Sequence, residues 1–294
     1  MPLYIYPLTR NTWKPLYDAI AAHPSTEFLV IVNPNSGPGD GPLPGHDYVR
    51  EVPRLNAFPN VRTVGYVAID YCRKPLLETC KEIGVYAGWY RDYRDRVTGL
   101  YVEGIYMDET PNHADVTQGE YLARLRQHVK EEAEGLRGER LVIQNPGTPT
   151  EYTITSPKLL SEFGNPDLVC VSEVPYSQFL SDEVQTRLAT FPLPYDCNMF
   201  QISAIPHHEM AKAAADLCKR GRYVFATDLT HDFYESFGES WMVFVGALAT
   251  VATAGNMNDA SGMGDARQVV RFDNGLLLGR VFWRLFGRFR KADK

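Results

Sequence analysis

Eight short apolar runs recur along the chain at fairly even spacing, and most are followed by a segment with helical character. The runs are LYIYP (3–7), FLVIVNPN (28–35), VRTVGYVA (61–68), YVEGIYMDE (101–109), RLVIQNPG (140–147), DLVCVSEV (167–174), NMFQISAI (198–205) and YVFATDL (223–229). Most are apolar almost without interruption rather than alternating. Strands covered on both faces read this way.

The intervening segments place apolar residues at helical spacing. They are Trp13–Ala22, His46–Ala57, Leu76–Tyr93, Gln118–Leu136, Pro157–Phe163, Tyr176–Leu188, His207–Lys219 and Glu239–Ala252. Pro157 and Pro206 suit first helical turns, and Gly221 follows Lys219 and Arg220 as a stop. Strand then helix, about eight times over some 250 residues, predicts a (β/α)8 barrel, the TIM-barrel class. A doubly wound open sheet is the alternative, weakened because no G-x-G-x-x-G follows the first strand. PNSGPGDG (34–41) lacks the Lys-Ser/Thr of a phosphate loop and reads as a wide turn.

The barrel is expected over residues 1–250, with a linker and a basic amphipathic segment over 251–294. Residues 253–266 are small and polar, as in a flexible linker. Beyond them Arg280, Arg284 and Arg288 recur every four residues and share one helical face, with Leu277, Val281, Leu285 and Phe289 nearby. The segment Leu276–Arg290 has two readings: a helix for a membrane surface or a protein partner, or a terminal helix packed on the barrel.

Composition narrows the function. The chain has 294 residues, 44% of them hydrophobic, enough for a large core. A net charge of −6 disfavours nucleic acid, which needs clustered Lys and Arg. The five cysteines are scattered without a C-x-x-C, so neither a zinc site nor a disulfide framework is expected. Likewise no metal or cofactor is expected, since His207-His208-Glu209 reads as a solvated helix start. MPLYIYPLTR is not built as a signal peptide and reads as the first strand, so the chain as displayed reads as soluble and cytoplasmic.

In such a barrel the strand C-termini form the active face. The strand ends here carry Tyr6, Asn33 and Asn35, Tyr66 with Asp70 and Tyr71 beyond it, Asp108 and Glu109, Asn145, Glu173, Ser203 and Asp228. Acids suit proton transfer, amides suit hydroxyl recognition and aromatic rings suit sugar faces. A carbohydrate cleft is the expectation. Glycosidic cleavage needs two carboxyl groups. Asp108 or Glu109 supplies one and Glu173 the other, and burial of Glu173 would suit a general acid. A single acid at a strand end is more often an ion-pair partner or a helix cap; acids ending strands four, six and eight weaken that reading. Asp108 and Glu109 can both enter the mouth only if the chain bends between them.

Several motifs, in order from about residue 3 to about 245, carry a family resemblance. FLVIVNPNSGPG, VRTVGYVAIDY, YAGWY, GIYMDE, QNPGT, VSEVPYSQF and ATDL together resemble the spherulin 4 family, glycoside hydrolase family 135. The resemblance implies a (β/α)8 fold and an endo-acting hydrolase of α-1,4-linked polysaccharide containing galactosamine or N-acetylgalactosamine. It puts the essential acids on Asp108, Glu109 and Glu173, and groove positions on Asn33, Asn35, Tyr66 and Asn145. Tyr6, Tyr71 and Asp228 complete the expected sugar-binding set. Members of the family are commonly secreted or membrane-anchored, and the basic tail lies outside the matched region. A non-catalytic carbohydrate-binding or spore-wall protein on the same barrel is the competing expectation. A chitinase-like site is disfavoured, because GIYMDE holds only the final acids of D-x-x-D-x-D-x-E.

Overall fold

The structure, a computed structural model, describes residues 1–150, 166–190 and 193–260, with side chains as far as residue 251. Eight parallel strands run in sequence order around a nearly closed barrel: β1 (Pro2–Leu3), β2 (Phe28–Val32), β3 (Val61–Ala68), β4 (Gly104–Asp108), β5 (Leu141–Gln144), β6 (Leu168–Pro175), β7 (Asn198–Ser203) and β8 (Tyr223–Ala226). Each pairs with its sequence neighbour, and that order removes the doubly wound alternative. The helices between them are α1 (Lys14–Ala22), α2 (His46–Asn56), α3 (Leu76–Arg91), α4 (Val116–Gln127), α5 (Tyr176–Phe179), α6 (Asp182–Thr190), α7 (Met210–Leu217) and α8 (Trp241–Ala260). The expected helix over Pro157–Phe163 lies outside the described residues.

Alternation along the strands divides the apolar residues into two cores. Leu29, Ile31, Val64, Tyr106, Leu141, Ile143, Leu168 and Met199 pack together with Tyr4 and Tyr66, and fill the barrel. Val30, Val32, Val67, Ile105, Met107, Val142, Val169 and Ile202 face outward, in the larger core with Trp13, Leu16, Tyr86, Trp89 and Leu122. Burying each such side chain contributes roughly 1.5–3 kcal/mol. This two-sided burial explains why the strands read as unbroken apolar runs. It also fixes the inward positions at the mouth: Asn33 follows Val32, Asp108 follows Met107, and Asn145 follows Gln144.

One glycine sets the second and third strand ends. A Cβ on Gly65 would lie 2.7 Å from the Tyr86 ring. Its absence lets Tyr86 of α3 reach under β3 and donate to the backbone oxygens of Tyr66 at 3.0 Å and Val32 at 3.2 Å.

Local differences from the expected elements have physical causes. β1 is shorter than LYIYP because the Tyr4 N–H leaves the sheet and donates to the Tyr234 carbonyl at 3.1 Å. Helix α4 starts earlier, at a capping box in which Asp115 accepts from the Gln118 N–H at 2.8 Å and Gln118 Oε1 accepts from the Asp115 N–H at 3.1 Å. It ends in a π-helical turn, His128–Glu132. Helix α8 continues to Ala260, into the stretch expected to be a linker.

The chain divides into two units, Met1–Asn256 and Met257–Lys294. The barrel and its mouth belong to the first. The basic segment Leu276–Arg290 lies outside the described residues. No helix among the described residues is long and apolar enough to cross a membrane.

Candidate active site

At the strand C-termini two carboxylates converge on one amide. Asn145 Nδ2 donates to Asp108 Oδ1 at 2.7 Å and to Glu173 Oε2 at 2.5 Å. Both of its N–H bonds are therefore spent on acids. The amide cannot be turned over, because its Oδ1 accepts from the Gly147 N–H at 3.0 Å. Gly147 in turn accepts from the Glu173 N–H at 3.0 Å through its carbonyl. Its φ of 66° is a left-handed conformation that glycine adopts without strain. The NPG of QNPG is thus a clip between the ends of β5 and β6.

Two oxygens held at 2.7 and 2.5 Å from one nitrogen lie no more than about 5.2 Å apart. Two ionised carboxylates at that range repel by about 3 kcal/mol at an effective dielectric near 20. Charging one therefore opposes charging the other. Glu173 is the group whose proton affinity is raised. Burial is the main cause, and the Asp108 charge adds to it, while hydrogen bonds from Tyr234 and Asn145 partly offset both.

Glu173 reaches the mouth through an irregularity in β6. Leu168 and Cys170 face inward and Val169 and Val171 outward, so strict alternation would turn Glu173 out. The register with β7 shifts between Cys170 and Ser172, after which Glu173 pairs with Gln201. Gln201 points into the barrel, where it donates to the Tyr106 hydroxyl at 2.6 Å. The extra residue carries Glu173 to the same inward face, a use of bulges that recurs beside functional sites.

Asp108 and Glu109 take different courses. Asp108 Oδ2 accepts from the Tyr66 hydroxyl at 2.8 Å, and Oδ1 also accepts from the Glu109 N–H at 2.9 Å. Glu109 is exposed and has a φ of 55°, rare for a residue with a Cβ. This is the bend the adjacent acids require. Its side chain lies near enough to Tyr66 and Arg73 to act on both electrostatically. Asp108, not Glu109, shares the amide with Glu173.

The bend at Glu109 is matched at the end of the neighbouring strand, β3. Asp70, Tyr71 and Cys72 have φ values of 47°, 51° and 66°, a left-handed turn built without glycine. The Tyr71 N–H donates to the Glu109 carbonyl at 2.8 Å, and the Ile69 N–H to the Asp108 carbonyl at 3.1 Å. Gln118 of the capping box donates to the Tyr71 carbonyl at 3.2 Å. Backbone strain of this kind persists where surrounding bonds enforce it. It leaves the Tyr71 ring exposed beside the acids, with the Arg73 guanidinium 5.5 Å from its centre.

The remaining expected positions lie apart from this cluster. Asn33 Oδ1 accepts from the Gly37 N–H at 2.9 Å and shapes the wide turn, while Asn35 is exposed. The Tyr6 hydroxyl donates to Asp47 at 3.0 Å, and its ring packs edge-on against Tyr48. Asp228 accepts from the Ser240 N–H at 3.3 Å, just before α8 begins, so its bonding is that of a helix start. Its Oδ1 is buried with no partner among the described residues. Among those residues no group of three His, Cys, Asp or Glu is placed to hold a metal ion.

Two aromatic residues that sequence reasoning passed over complete the cluster. The Tyr234 hydroxyl donates to Glu173 Oε1. Tyr4 packs edge-on between Tyr66 and Tyr234, with ring centres at 5.6 and 5.3 Å. Burial and the neighbouring acids push the phenols of Tyr4, Tyr66 and Tyr234 well up, so all three stay protonated and able to donate. Tyr4 sits on the inward phase of β1, a usable signal. Tyr234 lies in HDFYESF, whose only cue is its density of aromatic residues after the last strand.

The chain and its fold have known counterparts. A family model described as spherulation-specific family 4 matches residues 1–248. Spherulin-4 of Physarum polycephalum is 31% identical over 148 residues, which cover 50% of this chain and 38% of that protein. The crystal structure of Aspergillus clavatus Sph3 in complex with GalNAc superposes with a TM-score of 0.76 at 33% identity, covering 85% of this chain and 96% of that one. The chain belongs to the spherulation-specific family 4.

Proposed function

We propose that the protein is an endo-acting glycoside hydrolase that cleaves α-1,4-linked polysaccharide containing N-acetylgalactosamine or galactosamine. The observation that carries this is the pair Asp108 and Glu173, joined through Asn145 at the mouth of the barrel. The similarity to a barrel crystallised with GalNAc supports the choice of sugar.

In this reading Glu173 is the general acid. Its raised proton affinity keeps a proton available for the glycosidic oxygen as the C1–O bond breaks. Asp108 faces the anomeric carbon as nucleophile or as stabiliser of the oxocarbenium-like transition state. A spacing of about 5–5.5 Å between the two carboxyls goes with retention, and roughly 6.5–9.5 Å with inversion. With one oxygen of each acid within about 5.2 Å of the other, both bonded to Asn145, little room is left between them for the water that inversion needs, which supports retention. Asp108 then forms a glycosyl ester, and Glu173, now ionised, takes a proton from the water that hydrolyses it.

Glu109 tunes the pair and adds negative charge to the rim, which suits a polymer bearing free amines. Tyr71 offers an exposed ring to a sugar face, and Asn33, Asn35, Tyr66 and Asn145 line the groove. Tyr6 and Asp228 extend the proposed set from its edges. The reaction as drawn uses no cofactor.

The test is incubation with galactosamine-containing and control polysaccharides, with products sized by mass spectrometry. Oligosaccharides from the galactosamine polymers alone support the proposal. Binding without cleavage of any polymer would favour a carbohydrate-binding protein on the same barrel.

A further inference from the structure

β1 and β8 are the two strands of the barrel that do not pair with each other. The loop after β8 spans this seam at the mouth. Its Tyr234 carbonyl accepts from the Tyr4 N–H at 3.1 Å, standing where a ladder bond would close the sheet. The Tyr234 ring packs on Tyr4, on Phe225 at 5.7 Å and on Phe233 at 4.6 Å. The base of the loop is tied by the Ser240 N–H to Asp228, and a Cβ on Gly238 would overlap Asp228 Oδ1. The Tyr234 hydroxyl is thus held from three sides and points at one atom, Glu173 Oε1.

We propose that Tyr234 is a positioning residue for the proton donor: by bonding Glu173 Oε1 from across the barrel seam it sets the aim and the proton affinity of that carboxyl. The assignment rests on the reading of Glu173 as the acid. Its physical basis is simple. A phenol donor stabilises the carboxylate more than the carboxylic acid. With Tyr234 on Oε1 and Asn145 on Oε2, each oxygen keeps a lone pair for the transferable proton.

The groups that face Glu173 come from every side of the mouth. They are Asp108 and Tyr106 of β4, Tyr66 of β3, Tyr4 after β1, Cys170 on its own strand, and Tyr234. No lysine, arginine or histidine is among the groups that shift it. Removing the hydroxyl therefore has one sign: the proton affinity of Glu173 rises further.

The experiment is an infrared titration of the protonated carboxyl band assigned to Glu173 by its loss in Glu173→Gln. Tyr234→Phe keeps the ring and is expected to raise the midpoint by about one pH unit. 3-Fluorotyrosine placed at position 234 is a stronger donor and is expected to lower it. This second probe stands even if Tyr234→Phe does not fold. With substrate, Tyr234→Phe lowers kcat about tenfold, leaves KM within about twofold, and moves the alkaline limb of kcat/KM upward. A midpoint that neither probe moves overturns the assignment even where the wild type cleaves polymer. A wild type that cleaves nothing, with both midpoints moved as stated, refutes the hydrolase reading and leaves Tyr234 as the group that sets Glu173.

Discussion

Asp108 and Glu173 share a single nitrogen, Nδ2 of Asn145, with hydrogen bonds of 2.7 and 2.5 Å. The amide has no spare donor and no freedom to flip, so the spacing of the acids is a property of Asn145 and of the NPG clip behind it.

Asn145→Ala removes one donor from each carboxylate and lets them separate. Turnover is expected to fall about a hundredfold, and stability by about 2–3 kcal/mol, the scale of hydrogen bonds to charged groups. Steady-state kinetics and urea unfolding check this. Normal turnover in the variant would show that the spacing is held by something else.

Tyr66→Phe deletes the hydroxyl that donates to Asp108 Oδ2. The ring packing on Tyr106 and Tyr4 remains. A loss of kcat of about tenfold to a hundredfold is expected, with KM little changed and the melting temperature within a few degrees.

Glu173 makes stability depend on pH in a defined direction. Its folded-state proton affinity is raised above that of an unfolded glutamate, near 4.3. In the window between the two values the folded state binds more protons, so stability falls as pH rises through it. The melting temperature of wild type relative to Glu173→Gln is therefore expected to drop as the pH rises above about 4.3, the unfolded value, and to level off once the folded-state carboxyl has ionised. A difference independent of pH would mean that Glu173 titrates normally.

Gly147→Ala meets no clash, since the new Cβ would lie 3.8 Å from Glu173 Cβ. The cost is conformational, about 1 kcal/mol for a left-handed alanine. Denaturant unfolding should show that loss, together with lower activity as the clip to Glu173 loosens.

The strand order, the acids at the mouth and the Asn145 position were legible because two-sided burial leaves an unbroken apolar run whose end marks the active face. The rest depended on distant contacts. Nothing local in DLVCVSEV announces the extra residue that turns Glu173 inward, since a one-residue shift keeps the same apolar letters. The division of labour between Asp108 and Glu109 follows from a left-handed backbone held by Tyr71, which no spacing rule reveals. Tyr234 meets Glu173 across the seam, 61 residues away in sequence. Asp228, at a strand end like the others, bonds to a helix start instead.

In the proposed reaction Asp108 and Glu173 cleave the glycosidic bond as a pair. The most direct measurement is proton NMR of the first reducing ends released from an α-1,4-linked galactosamine polymer, for wild type and Glu173→Gln. The α-anomer is expected to appear first with wild type, and the variant is expected to release almost none. A β-anomer appearing first, or equal release by Glu173→Gln, would contradict it.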